Sequence, residues 1–232
     1  MKTSELETSP YLKDDRFVIE SDITVVLKTP VSALEAVCEI QVPPSDLSDD
    51  LRKLLETEKR TDIAFKVKEE VVHAHKFVLA MRSPVFEAEL YGPMAGKQRR
   101  ITIEDVQPAV FKALLHFIYT DSLPEMDDLD EDEKEDMVRH LLVAADKYAM
   151  ERMKLVCESI ICKRLCADSV ATTLALADQH NCAKLKDACI GFIGSPDKRD
   201  DVMASKGYEH LKRVCPAVFM DIWEKASKSQ KI

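Results

Sequence analysis

Two histidines have the spacing that metal chemistry can use. His73 and His75 stand two apart on a predicted strand, so both rings face the same side of it. A catalytic metal site needs a third ligand, and the sequence does not point to one. Histidines at a strand end more often pair with carboxylates or backbone groups, so we predict no metal site here.

The cysteines offer a second possible metal site. Cys162, Cys166, His180 and Cys182 form CxxxC and HxC pieces, but the paired CxxC motifs of a structural zinc site are missing. The chain has 7 cysteines, an odd number, and its N-terminus MKTSELETSP is polar. We therefore expect reduced thiols inside a cell, with the protein in the nucleus, the cytoplasm or both.

Other catalytic motifs are missing from the sequence. With only 5 glycines, the first of them Gly92, neither a Walker loop nor a GxGxxG loop can form. There is no GxSxG elbow, HExxH helix, or caspase-like or papain-like cysteine motif. Carboxylates crowd the stretch from Asp121 to Asp136, but a solvated cluster lacks the burial that raises a pKa for acid catalysis. We predict neither an enzyme nor a cofactor.

The charge lies in one segment of the chain. Residues 121–136 contain 10 acidic side chains and one lysine, a balance of −9, which equals the formal charge of the whole chain. No basic stripe remains for a nucleic-acid backbone, and no run of about 18 apolar residues could cross a membrane. Because the carboxylates repel one another, we predict a mobile surface loop here.

The elements before this segment follow from apolar spacing. Alternation over residues 16–28 predicts a strand with no upstream partner, the last strand of a sheet whose other strands are missing. A leucine stripe at residues 47–55 predicts a short helix. A hairpin follows over residues 63–72, and a third strand runs from Arg100 to Ile103.

Caps and apolar stripes define the helices. Ser83-Pro84 predicts a helix start and Gly92-Pro93 its end, while Pro108 opens another helix. Beyond the acidic segment, apolar stripes at helical spacing run through residues 138–149, 153–161, 170–177, 182–192 and 218–223. Strands early and helices late predict an α+β domain followed by a helical extension.

Several motifs in this order resemble a BTB/POZ domain. They are the TDIAF hairpin, HAHKFVLAMRSPVF, VFKALLHFIYT and LLVAADKYAMERMKLVCE, together covering about residues 45–165. The positions that match the family pattern are Asp62, His75, Lys76, Ser83, Pro84, Phe86, Phe111 and Tyr119. ALADQHNCAKLKDACIGFI looks like the start of a BACK-type extension, and YLKDDRFVIESDITVV is similar to the final strands of a MATH domain.

Together these pieces resemble the MATH-BTB family, whose members are substrate adaptors for cullin-3 ubiquitin ligases. The resemblance implies an α+β BTB/POZ fold, with helices packed around a small three-stranded sheet, followed by an all-helical extension. It implies three parts: a MATH remnant and linker (1–44), a BTB/POZ domain (45–165) and a BACK-like extension (166–232). The implied partners are a second copy of the chain or related MATH-BTB proteins, and the cullin-3 scaffold.

The resemblance also implies two protein-binding surfaces. The dimer surface would include Leu47, Leu51, Leu54, Leu55 and Val78. The cullin-binding surface would centre on Met94, with Tyr119, Tyr148 and Met150 as further candidates at helix ends, although each of these three also suits a core position. Gly96 stands where the family pattern has a glutamate.

Two alternative functions stay open. The chain could form mixed dimers with full-length relatives and lower their effective valency, acting as a scaffold or inhibitor. It could instead recruit corepressors, as some BTB domains do through a groove at the dimer interface.

Overall fold

The computed structural model describes residues 42–93, 99–205 and 207–208. The chain divides into two compact units, Met1–Pro44 and Ser45–Ile232, and the elements below belong to the second. The strand predicted over residues 16–28 and the apolar stripe at 218–223 lie outside the described residues.

The described elements have their strands early in the chain and their paired helices late, as predicted. They are α1 (Leu47–Glu56), β1 (Ile63–Val67), β2 (Glu70–Ala74), α2 (Lys76–Arg82), α3 (Pro84–Tyr91), β3 (Arg100–Ile103), α4 (Pro108–Thr120), α5 (Glu131–Lys147), α6 (Glu151–Lys163), α7 (Val170–Gln179), α8 (Ala183–Gly194) and α9 (Pro196–Ala204). This arrangement confirms the predicted α+β class.

The sheet has three strands in the order β2-β1-β3. β1 pairs antiparallel with β2 through a tight turn, at which Lys68 has a φ of 53°. β1 pairs parallel with β3, and α2 and α3 supply the crossover that a parallel pair requires. Phe65 and Val67 point from the central strand into the core and are fully buried.

Aromatic side chains join the sheet to the helices. The Phe65 ring lies 5.7 Å from that of Phe86 on α3 and 5.1 Å from that of Phe111 on α4, measured between centroids. Phe86 also stacks on Tyr148, which follows α5, at 4.4 Å. All four rings are buried, so one core connects the sheet, α3, α4 and the end of α5.

Ser83 starts α3 as predicted and also ties that helix to α5. Its hydroxyl accepts a hydrogen bond from the backbone N–H of Phe86 (3.2 Å) and donates one to the carbonyl oxygen of Tyr148 (2.6 Å). Pro84 occupies the first helical position, where a missing N–H costs nothing. The helix ends before Gly92, as the sequence predicts.

The acidic segment is only in part the loop that its charge predicted, because residues 121–130 are turns and irregular backbone. From Glu131 onward it forms the first turns of α5, with a capping box between Asp130 and Glu133. Asp121 is hydrogen-bonded to Arg82 and, at 2.6 Å, to Arg152. Carboxylates in a first helical turn are favoured by the helix dipole, and arginines from distant positions neutralise part of the charge.

The remaining helices pack against one another in pairs. α5 packs on α6, α7 packs on α8, and α8 also contacts α6 and α9. The predicted apolar stripes place Leu141, Met153, Leu174 and Leu185 in the core, all fully buried. The stripe drawn through Ala149 is wrong at its end, because α5 stops at Lys147 and Ala149 is exposed with a φ of 51°.

Candidate protein-binding surface

Large apolar side chains on α1 and on α2 are open to solvent. Leu47 on α1 is 64% exposed, and Phe77 and Met81 on α2 are 70% and 60% exposed. The last two stand four residues apart, so they share one side of the helix. Large apolar side chains this exposed are typical of surfaces that bind another protein.

α1 is held to the domain along one side. Leu51 and Leu55 are half-buried against the core, whereas no residue of the helix is fully buried. The Ser48 hydroxyl donates a hydrogen bond to the carbonyl oxygen of Thr120 at the end of α4 (3.2 Å). Leu54, another predicted dimer residue, is also half-buried. The leucine stripe therefore has one side on the core and one side toward solvent.

Val78 does not belong to the exposed face. Its side chain is buried in the core, so it offers no area to a partner, and the predicted dimer role for it does not fit this structure. Phe77 and Met81 occupy the exposed side of the same helix. The i, i+4 spacing of Phe77 and Met81 indicates that they share one side of the helix. Because Val78 and Leu79 are also apolar, the sequence alone does not show which side of the helix faces the core.

His75 positions the start of α2. Its Nδ1 lies 2.8 Å from the Tyr119 hydroxyl, and its Nε2 lies 2.7 Å from the carbonyl oxygen of Lys59 after α1. Its backbone N–H donates to the Tyr119 hydroxyl (2.9 Å). The Asp62 carboxylate accepts a hydrogen bond from the backbone N–H of Lys76 (2.8 Å). The family-pattern residues therefore hold α2 beside the end of α1.

The histidine pair is split by the fold. His73 lies on β2 with its Nδ1 3.0 Å from the Glu58 carboxylate, whereas His75 lies beyond the strand at the N-cap of α2. The prediction that both stand on a strand is wrong for His75. Each ring has its own carboxylate, hydroxyl or backbone partner, which matches the non-metal interpretation.

Three candidates for cullin contact lie in the core. Tyr119, Tyr148 and Met150 are all buried, so their side chains have little area for a partner and the core interpretation describes them. Burial raises the pKa of Tyr119 to about 12 and that of Tyr148 further still, so both hydroxyls stay protonated. Met94 lies outside the described residues, and its role stays a prediction.

Three of the described cysteines are buried in the core. Burial raises the pKa of Cys157, Cys182 and Cys189 to about 12, so these thiols are protonated and poor nucleophiles. Within residues 42–93, 99–205 and 207–208, no cluster of three His, Cys, Asp or Glu side chains could hold a metal ion. None of the helices in these ranges is long and apolar enough to cross a membrane.

A polar network connects α5, α6 and the turn between α7 and α8. The ammonium of Lys154 lies 2.5 Å from the Asp146 carboxylate and 2.5 Å from the carbonyl oxygen of His180. The second Asp146 oxygen lies 2.9 Å from Nδ1 of His180. Burial alone raises the pKa of Asp146, but hydrogen bonds from Lys154 and His180 outweigh it and keep that pKa below its usual value.

Two protein-family descriptions match this chain. Residues 51–165 match the BTB/POZ domain, and residues 169–223 match the BACK domain described for BPM/SPOP proteins. The first match runs from the middle of α1 through the sheet to the end of α6, and the second begins just before α7. The fold is therefore a BTB/POZ domain followed by a BACK-type helical region.

Curated proteins that are similar to this chain contain a MATH domain as well as a BTB/POZ domain. The chain is 42% identical over 237 residues to BTB/POZ and MATH domain-containing protein 3 of Arabidopsis thaliana, covering 99% of the chain and 57% of the relative. It is 40% identical to protein 4 of that series, covering 92% of the chain and 47% of the relative. The chain belongs to the MATH-BTB family, and it spans about half the length of these relatives.

Among solved structures, the BTB domain of zebrafish PATZ1 is similar, with 25% identity and a TM-score of 0.40. The similarity covers 50% of this chain and 88% of that one. The BTB and BACK matches and the MATH-BTB relatives support a role of the BTB adaptor type.

Proposed function

We propose that the chain is a non-catalytic adaptor subunit of a cullin-3 ubiquitin ligase and dimerises through its BTB domain. The observation that carries the proposal is the exposure of three large apolar side chains on α1 and α2, namely Leu47, Phe77 and Met81. These side chains lie on α1 and α2, the two helices that the family resemblance assigns to the dimer. A two-fold dimer uses the same patch on both subunits, which suits a self-complementary apolar face.

The exposed apolar area can contribute several kcal/mol to association. A phenylalanine buries about 200 Å² when fully enclosed, so the 70% exposure of Phe77 leaves about 140 Å² available. At about 25 cal/mol per Å², covering it contributes roughly 3.5 kcal/mol per subunit before association costs. Met81 and Leu47 add to this apolar area, which supports these side chains as part of a protein–protein interface.

Dimerisation is tested with a double variant of the full chain. Phe77→Ser with Met81→Ser removes the centre of the exposed face, and we expect the mass from light scattering to fall from dimer to monomer. Leu155→Ser is the matched control, because Leu155 is 47% exposed on α6, outside this face. A monomeric unmodified chain at high concentration would overturn the dimer proposal, as would a double variant that stays dimeric.

Cullin binding is tested separately. We propose that the scaffold docks beside the end of α3, where Tyr91 is exposed and the predicted anchor Met94 follows. Biolayer interferometry with the N-terminal domain of cullin-3 should give saturable binding that Tyr91→Ala and Met94→Asp weaken. No binding at tens of micromolar, roughly the limit of a useful weak complex, would refute the cullin assignment and leave the dimer intact.

A further inference from the structure

A groove of about 400 Å³ lies between α1, α4 and the segment that connects α4 to α5. Its apolar lining comes from Leu55 on α1, Ala109 and Ala113 on α4, Met126 and Leu129 in the connecting segment, and Met137 on α5. This volume falls within the range of roughly 300–1,000 Å³ that is usual for binding clefts. None of these residues belongs to the exposed face of Leu47, Phe77 and Met81.

The lining has room for an inserted side chain. Leu55, Met126 and Met137 pack on the core by one side and are only half-buried, so the rest of each side chain faces the groove. Methionine adapts to ligands of different shape because its unbranched side chain has several accessible rotamers. His116 also lines the groove, and its burial lowers its pKa, so the ring adds no positive charge near neutral pH.

The rim of the groove is acidic. Glu125 and Asp128 line it and are exposed, and Asp127 lies between them in the chain. In the part of the chain that the structure describes, neither Asp127 nor Asp128 has an ion-pair partner. The one cationic side chain in the lining, Lys112, is already paired with Glu70 at 2.5 Å.

Other carboxylates of the same segment are neutralised within the fold. Asp121 is held by two arginines, and Glu131 is bonded to Lys134 (3.0 Å) and Arg164. Glu135 bonds Arg139 at 2.6 Å. Within the described residues, Glu125, Asp127 and Asp128 form no ion pair of this kind, so they place negative charge where the apolar groove opens, with Arg52 of α1 near Glu125. An apolar floor beside an acidic rim is complementary to an apolar side chain next to basic ones.

We propose that this groove binds a peptide segment of a partner protein in which an apolar side chain is flanked by lysine or arginine. The apolar side chain fills the space between Leu55, Met126 and Met137 and supplies most of the affinity, as buried anchors do. The basic side chains meet Glu125 and Asp128 and set the orientation and the rate of association. The proposal does not rest on the proposed function, but Leu55 also belongs to the predicted dimer surface, so the test measures the oligomeric state as well.

The test uses a short fluorescein-labelled peptide that contains two leucines flanked by lysines, with the full chain as receptor. Two matched probes replace the leucines with serine or the lysines with glutamate. Fluorescence anisotropy should show saturable binding of the first probe only. Asp128→Lys should weaken it about tenfold, from a lost attraction and a new repulsion. Ala109→Phe, at an exposed position on α4, fills the groove and should weaken it at least as much.

Controls decide between this proposal and its alternatives. Asp168→Lys makes the same charge change at an exposed position of the helical region and should leave binding unchanged. Equal weakening by Asp168→Lys would show non-specific charge attraction and overturn the proposal. A dimer-to-monomer change in Ala109→Phe would assign the groove to a second copy of the chain and also overturn it. Loss of probe binding in the Phe77→Ser, Met81→Ser variant would place the peptide on the other surface and refute the groove.

Discussion

Replacing Lys154 with methionine tests whether the polar network stabilises the link between the BTB domain and the helical region. Lys154 is 6% exposed, and its ammonium bonds both the Asp146 carboxylate and the carbonyl oxygen of His180. Methionine keeps a similar length and apolar stem but removes the charge. The Asp146 carboxylate then keeps only its contact with the His180 ring. The backbone carbonyl of His180 loses the ammonium that donated a hydrogen bond to it.

The expected loss of stability follows from the exposure of the partner. Removing one member of a fully buried ion pair costs about 3–5 kcal/mol. Asp146 keeps 34% of its side-chain exposure, so water replaces part of the lost interaction and the expected cost falls to about 2–3 kcal/mol. In a chain of this size, that corresponds to a drop in Tm of roughly 5–10 °C.

The effect should depend on pH in a defined direction. The hydrogen bonds in the network hold the pKa of Asp146 below its unfolded value, so its contribution is present above that value and fades as pH falls through the lower folded pKa. Burial opposes the charge of Lys154, but the Asp146 hydrogen bond and the attraction of nearby acidic groups together outweigh burial and raise the pKa of Lys154. Its contribution is therefore lost only at strongly alkaline pH.

Urea unfolding followed by circular dichroism measures both effects. The difference between the unmodified chain and Lys154→Met should be largest near pH 7 and shrink below about pH 4, near the unfolded pKa of an aspartate. Lys184→Met, at an exposed position on α8, is the control and should change stability little. A cost below about 0.5 kcal/mol for Lys154→Met, typical of a surface change, would refute the reasoning. A stability cost that does not change with pH would also refute the reasoning.

Three further substitutions are expected to change the free energy of unfolding, each read from the same urea curves. Ser83→Ala removes an N-cap and leaves the carbonyl of Tyr148 without its donor, so we expect a loss of about 2–4 kcal/mol; a loss under 1 would contradict this. Gly92→Ala places a Cβ 2.2 Å from the backbone oxygen of Ala88 and should cost about 1–3 kcal/mol, whereas unchanged stability would show that the chain relaxes freely. Gly191→Ala lies on an exposed part of α8 with open space around it, and a gain of about 0.5–1 kcal/mol is expected; a loss would contradict the helix-propensity argument.

Local signals predicted the elements well. The Ser83-Pro84 and Pro108 helix starts and the strand from Arg100 to Ile103 agree with the structure. Each depends on neighbouring residues: a serine cap bonds an N–H three residues on, and proline fixes its own φ. Such signals are complete within a short window of sequence, so no knowledge of the fold is needed to interpret them.

Long-range pairing was beyond the sequence. The prediction of mutual repulsion among the carboxylates of residues 121–136 did not include three arginines that bind them. Arg82 lies on α2, Arg152 on α6, and Arg164 directly follows α6. Nothing in their spacing indicates that they meet these carboxylates. The sequence also could not predict the hydrogen bond between Tyr119 and His75. The two residues are 44 positions apart and meet only when the sheet and α4 pack together.

Because α1 is attached to the domain along one side only, its stability depends on whether its exposed side is covered. The helix has 10 residues, fewer than the roughly 12–15 that are needed for even marginal stability alone. Its contacts with the domain include the half-buried Leu51 and Leu55 and a hydrogen bond from Ser48. A partner that covers Leu47 would therefore stabilise the helix as well as bury apolar area. Binding and helix order become coupled, so amide exchange in α1 should slow when the exposed face is covered and quicken in the monomeric variant.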